Sequence, residues 1–185
     1  MFKEFKEIYH FIDEFKENDL KILDEKISII YRNYKKKTDI NMLKKLKYFC
    51  AKNNRKFYLA NNVRLAIFLN LDGAYIPSYN HDVRHNTYNF KKKFKIIGSA
   101  HNYKQIRIKE KQNVEKIFLS PVFKMKNKKH MGIYRFLYLK NLTTKKIIAL
   151  GGINYKNIKK LKMIKCSRFA SISLISNIYR TNDRN

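Results

Sequence analysis

The sequence predicts an α/β fold, a compact (β/α)8 TIM barrel with short terminal helices, on three observations. Short β-branched or aromatic runs recur eight times along the 185 residues, each followed by helix-compatible sequence. No Asn-Gly or Asp-Gly hairpin turn separates two alternating runs; Asp72-Gly73 precedes a run but follows a helix-like stretch. The clearest unit, KKIIALGGINYKN from Lys145 to Asn157, places a continuous apolar run before a glycine pair, as expected of a parallel strand buried on both faces. A doubly wound open sheet is the runner-up, and a closed barrel of this length is small against the roughly 250 residues typical of the class. The whole chain, 1–185, reads as one domain with enough length for a core.

Taken in order, Glu7 to Asp13 reads as the first strand, followed by a brief amphipathic segment around Leu20, Ile22 and Leu23. Ile27 to Arg32 is the second, and Asp39 then caps a helix with Leu43, Leu46 and Cys50 on one face, running out at Asn53-Asn54. Phe57 to Ala60 is the third, with Val63 to Leu69 helical behind it, and Ala74 to Ile76 the fourth, closed by Pro77. Phe94 to Ala100 is the fifth, with a helix from Tyr103 to Gln112. Ile117 to Leu119 is the sixth; after the lysine-rich loop Lys124 to His130, Phe136 to Leu142 reads as helix. Ile147 to Leu150 is the seventh, and Phe169 to Ile175 the eighth, followed by a short tail.

In such a fold ligands meet the carboxyl ends of the strands. Polar residues collect there: Arg32, Asn61, Asn62, Asn80, Ser99, His101, Ser120, Lys128, Gly151, Gly152 and Ser173. Gly151-Gly152 stops the seventh strand, and Asn154 can cap a helix carrying Ile158 and Leu161, so backbone N–H groups there can meet a phosphate. A plain tight turn is the competing reading. His101, at a strand exit, suits either a site role or a hydrogen bond to a neighbouring loop, whereas His10, inside a strand pattern, reads as structural. His81, His85 and His130 are too scattered for a metal site.

The net charge of +28 admits nucleic acid, anionic membranes or phosphorylated metabolites as partners. The lysines are spread through every segment on the polar sides of apolar patterns, so they read as a solvated surface that adds a background field to a focused phosphate site. No zinc-finger, basic-zipper or P-loop pattern supports nucleic-acid binding. No apolar run reaches a membrane span, the start lacks a signal peptide's apolar block, and Cys50 and Cys166 are isolated, which together predict a cytoplasmic protein. Short terminal helices would leave apolar surface for a partner, so a homodimer is expected.

Read in order, the YR of IIYRNY, LANNVRLA, LDGAYIP, IIGSAHN, FLSPVFKMKNKKHMG, ALGGINYKN and FASISLI resemble the thiamine phosphate synthase and thiazole tautomerase family, from Glu7 to Ile175. The resemblance implies a (β/α)8 barrel that joins a hydroxymethylpyrimidine pyrophosphate to a thiazole phosphate and releases pyrophosphate with Mg²⁺. It assigns Arg32, Ser99 and Lys128 to the pyrophosphate clamp, with Lys126 and Lys129 as alternatives to Lys128. Gly151, Gly152 and Ser173 fall in the thiazole phosphate pocket, with Asn61 and His101 among the substrate-facing rim residues. The family's two magnesium-binding aspartates are Asn62 and Asn80 here, neutral groups that offer Mg²⁺ a carbonyl oxygen without charge. The residues flanking the clamp arginine are Ile30 and Tyr34 rather than glutamine and lysine, and Pro121 stands where the tautomerase carries its histidine. The expected function is therefore a synthase-like transferase, the alternatives being a tautomerase-like isomerase and a barrel that binds a phosphorylated ligand without turnover.

Overall fold

The computed structural model describes residues 2, 4–34, 39–125 and 129–182. Eight strands close in sequence order: β1 (Glu7–Ile12), β2 (Ile27–Tyr31), β3 (Phe57–Ala60), β4 (Gly73–Ile76), β5 (Lys95–Ala100), β6 (Lys116–Leu119), β7 (Lys146–Leu150) and β8 (Arg168–Ser171). Every neighbouring pair is parallel, and β8 returns to β1 with Ile8 opposite Phe169 and His10 opposite Ser171. The helices are α1 (Glu17–Lys21), α2 (Ile40–Lys52), α3 (Val63–Phe68), α4 (Tyr103–Lys111), α5 (Gly132–Asn141), α6 (Ile158–Met163) and α7 (Ser173–Asn182). The closed barrel expected from the eight runs is the observed architecture.

The two-residue period of the strands divides the core into two layers. Tyr9, Phe11, Ile30, Tyr58, Tyr75, Ile97, Phe118 and Ile148 point into the barrel. Their neighbours Ile8, Ile29, Leu59 and Ile117 pack outward with Leu43 and Leu46 of α2 and Ile106 of α4 in the larger apolar layer. Inside, the rings meet edge to face: Tyr9–Phe118 and Phe11–Tyr75 have centroids 5.1 Å apart, and Tyr75–Phe118 5.5 Å. Each such pair contributes about 0.5–1.5 kcal/mol beyond its burial. The barrel is thus plugged, and open space is left at its mouths.

The lower mouth, at the amino ends of the strands, is closed by charge. Lys116 Nζ donates to Glu7 Oε2 at 2.6 Å and to the Tyr9 hydroxyl at 3.1 Å, while Arg168 Nε donates to Glu7 Oε1 at 3.1 Å. Burial raises the Glu7 pKa, but these partners outweigh it and hold the carboxyl down to about 2.

The local signals hold where a specific side chain carries them. Asp39 caps α2 by accepting the Asn41 and Met42 N–H groups at 2.8 and 3.2 Å, and Leu43, Leu46, Phe49 and Cys50 form its buried face. Elsewhere the structure differs from the expected elements. A 3₁₀ turn, Arg84–Thr87, and not an α-helix, follows β4. The expected eighth strand, Phe169 to Ile175, ends at Ser171, and the expected tail is α7. Ser171 Oγ accepts the Leu174 N–H at 3.0 Å and turns the chain into that helix, whose Leu174 and Ile175 are buried. A short apolar run does not itself distinguish strand from helix. Of the two terminal helices α1 is short, at 5 residues, whereas α7 runs for 10. Asn154 caps only a turn, its Oδ1 accepting the Lys156 and Asn157 N–H groups, and α6 starts later, at Ile158.

Candidate functional site

The upper mouth holds a pocket of about 300 Å³, built from the ends of several strands. Arg32 follows β2, with its N–H bonded to the Ile12 carbonyl at 2.7 Å and its guanidinium carbon 4.9 Å from the centre of the Phe11 ring. That stacking rests a planar cation on an apolar floor and keeps its charge at the mouth. Tyr75 rises from β4 and Ser99 from β5, and both line the pocket. Burial pushes the Tyr75 hydroxyl up to about 12, so it stays protonated and works as a donor or acceptor, never as a base at neutral pH.

His101 comes immediately after β5. Its Nδ1 faces the Ser120 carbonyl, which only accepts, so Nδ1 carries the proton, and the His101 backbone N–H donates to Gln105 Oε1 at 2.7 Å. In the neutral ring Nε2 is then an acceptor. The hydrogen bond to a neighbouring loop is present, and the ring also lines the pocket.

On the far wall Gly151 and Gly152 adopt φ of 91° and 70°. A Cβ on Gly151 would lie 2.6 Å from Pro121 Cβ, and one on Gly152 would lie 2.4 Å from the Phe123 carbonyl oxygen. Both left-handed backbone and close approach therefore require glycine here. The segment is braced by the Val122 N–H to the Leu150 carbonyl at 2.9 Å and by Asn157 Nδ2 to the Gly152 carbonyl at 2.7 Å. The helix that starts in this pocket is α7, with Ser173 as its first residue, not α6.

The pocket therefore brings together Arg32, Ser99, His101, Gly151, Gly152 and Ser173. Lys128 and its neighbour Lys126 lie outside the described residues, and Lys129 is exposed. Asn61, Asn62 and Asn80 sit apart, in a neighbouring depression of about 160 Å³ with Arg64, Asp82, Arg84 and His85. Their amide oxygens are already engaged. Asn62 Oδ1 accepts the Leu65 N–H at 3.0 Å as the cap of α3, Asn80 Oδ1 accepts the Asp82 N–H at 2.8 Å, and Asn61 Oδ1 accepts from Asn80 Nδ2 at 2.7 Å. Asp82, which lines the same depression, is paired with Arg84, which holds its pKa down to about 2. Among the described residues no group of three or more His, Cys, Asp or Glu is placed to hold a metal. A hard dication prefers charged oxygens, so this neutral, internally bonded donor set does not fit Mg²⁺.

Sequence reasoning missed Tyr75, Tyr79, Met125 and Ser171, which also line the pocket. Strand alternation could have found Tyr75, since Ala74 and Ile76 face the helices. Tyr79 has no such signal: it lies in the loop after β4, its ring 6.0 Å from that of Tyr34.

Three comparisons bear on this geometry. The family profile described as thiamine monophosphate synthase matches residues 12–175. The chain is 32% identical over 162 residues to the thiamine-phosphate synthase of Pelagibacter ubique, covering 83% of this chain and 77% of the relative. It is 29% identical over 188 residues to that of Prochlorococcus marinus strain AS9601, covering 96% of this chain and 52% of the relative. The chain thus spans about half the length of the Prochlorococcus relatives it matches. Among solved structures, a thiamine phosphate pyrophosphorylase from Pyrococcus furiosus superimposes with a TM-score of 0.71 at 13% identity, over 96% of this chain and 94% of that one, a likeness of fold.

Proposed function

The chain belongs to the thiamine monophosphate synthase family, and from that premise we propose that it is a synthase-like transferase joining a hydroxymethylpyrimidine pyrophosphate to a thiazole phosphate. The observation that carries this reading is the convergence of Arg32, Ser99, Gly151, Gly152 and Ser173 on one pocket above a plugged barrel. In the reaction the thiazole nitrogen forms a bond to the pyrimidine methylene while the methylene–oxygen bond breaks, and pyrophosphate departs with the electron pair. No proton needs to be removed by the protein; the demand is for placement and for stabilisation of the departing anion. Arg32 supplies fixed positive charge with a fork that matches two phosphate oxygens. Ser99, at the end of β5 in the same pocket, offers a hydroxyl to the same group. The opposite wall, at Gly151, Gly152 and the first turn of α7, suits the thiazole phosphate through backbone N–H groups and the Ser173 hydroxyl.

Mg²⁺ would neutralise the pyrophosphate in a family enzyme, but the donor set at Asn61, Asn62 and Asn80 does not fit it, and the scheme above uses only the chain's own groups. The same observation favours a second reading, a barrel that binds the phosphorylated ligands without joining them. Incubating the protein with both precursors, with and without Mg²⁺, tests the choice. Thiamine phosphate and pyrophosphate formed in equal amounts are expected; ligand binding with neither product establishes the second reading.

A further inference from the structure

The chain buries a lysine where no carboxylate among the described residues meets it. Lys109, on α4, has no exposed surface, and its Nζ donates to the Pro77 carbonyl at 2.8 Å, the Asn80 carbonyl at 2.8 Å and Gln112 Oε1 at 2.7 Å. Gln112, equally buried, turns its amide nitrogen to the Asn80 carbonyl at 3.0 Å and the Asp82 carbonyl at 2.8 Å. Its own backbone carbonyl accepts from His85 Nε2 at 2.8 Å, which ties the 3₁₀ turn to the same point. Gly98 of β5 leaves room for the lysine stem, since a Cβ there would stand 2.9 Å from Lys109 Cδ.

Burying an ammonium costs several kcal/mol, and an apolar side chain at this place in a helix would avoid the cost. Stability alone does not account for it. What these two side chains do accomplish is to engage three carbonyls of one segment, 77–82, from behind. The front of that segment presents Pro77, Ser78 and Tyr79 to the pocket. It leaves the barrel without an α-helix to fix its course, because a 3₁₀ turn follows β4.

We propose that Lys109 and Gln112 are positioning residues: a buried clamp that fixes the 77–82 segment and so sets the wall of the substrate pocket. This rests on the transferase reading for the identity of the ligand. Neither side chain lines the pocket, and both act through the backbone they hold.

The test compares Lys109→Met, Gln112→Glu and a control, Lys116→Met, which removes a second buried lysine, at the opposite mouth. Gln112→Glu keeps an acceptor for Lys109 but loses both amide donors to the segment, so it loosens the loop even if Lys109→Met fails to fold. Thermal unfolding, amide hydrogen exchange of 78–82 and the dissociation constant for thiazole phosphate by calorimetry are measured for each, with kcat and KM where turnover occurs. The clamp predicts faster exchange confined to 78–82 and a dissociation constant and KM raised about tenfold, with kcat altered less, in the clamp variants. Lys116→Met should lower the melting temperature and leave exchange at 78–82 and affinity unchanged. Unchanged exchange or unchanged affinity in Gln112→Glu overturns the proposal, as does an equal loss of affinity in Lys116→Met. A wild type that binds but does not turn over removes the transferase reading and leaves the clamp decided by the affinities.

Discussion

Among the described residues that line the pocket Arg32 is the one Lys or Arg side chain, and the geometry sets what its loss should do. Arg32→Met keeps an apolar contact with Phe11 but removes the guanidinium that lies over that ring. A charge-assisted hydrogen bond contributes about 1.5–3 kcal/mol, so pyrophosphate affinity by calorimetry should fall roughly tenfold to a hundredfold with the melting temperature little changed. The glycines give a second residue-scale expectation. Gly132 and Gly151 share left-handed backbone, φ 72° and 91°, but a Cβ on Gly132 meets nothing within 4 Å whereas one on Gly151 meets Pro121 at 2.6 Å. Gly132→Ala should therefore cost about 1 kcal/mol in a urea titration, from backbone strain alone, and Gly151→Ala clearly more. Gly152 is no clean probe of phosphate binding, since its Cβ would collide with the Phe123 and Lys124 carbonyls and displace that loop.

At the scale of elements, the asparagines at the ends of β3 and β4 decide how far the site departs from its family. Asn62→Asp keeps the cap of α3, because aspartate caps as well as asparagine, and Asn80→Asp keeps an acceptor for the Asp82 N–H. The double variant should fold like the wild type and bind Mg²⁺ more tightly; a magnesium titration of turnover reads out whether the added charge helps a metal-dependent reaction or opposes a departing anion. These positions also show what the sequence disclosed. The strands were legible because a parallel strand covered on both sides must be apolar throughout, as in Ile147 to Leu150, and α2 because Asp39 and a stripe of leucines announce it. The start of α7 was not, since a short apolar run such as Leu174-Ile175 suits either conformation and the Ser171 hydroxyl bond to the Leu174 N–H marks the turn into the helix. Arg32, Ser99 and the glycine pair were placed in one mouth by the order of the units. The separation of Asn61 and Asn80 from them was hidden, because the two side chains hydrogen-bond to each other across loops 19 residues apart. The Lys109 clamp was hidden for the same reason, its acceptors lying 29 and 32 residues away.

For the whole molecule, charge and pH act together. With a net charge of +28 the folded chain repels itself, so its melting temperature should rise between low salt and about 0.1 M, where the screening length falls to about 10 Å. Acid should unfold it through two groups on β1. Burial lowers the His10 pKa from 6.5 to about 4, against a hydrogen bond to the Ser171 carbonyl that raises it. The unfolded chain therefore binds a proton that the folded chain excludes. The stability from neutral His10 is present above pH 6.5 and falls by up to about 3 kcal/mol as the pH drops toward 4. Glu7, with its carboxyl held down from 4.5 to about 2, extends the loss to lower pH with the same sign. Urea midpoints measured across this range should decline, and His10→Gln should remove most of the decline between pH 6.5 and 4.5.

The charge network at the lower mouth has a consequence for how the ring is assembled. Glu7 joins Lys116 and Arg168, residues 109 and 161 positions further along, and β8 completes the circle by pairing with β1. Contacts so distant in sequence carry the largest loop-closure entropy, so this seam should be the last to form during folding and the first to part under strain. Joining the two ends and cutting the chain elsewhere would turn the seam into a local contact. Such a circular permutant, opened between α3 and β4 at the lower side, should close its ring at another place while presenting the same upper mouth.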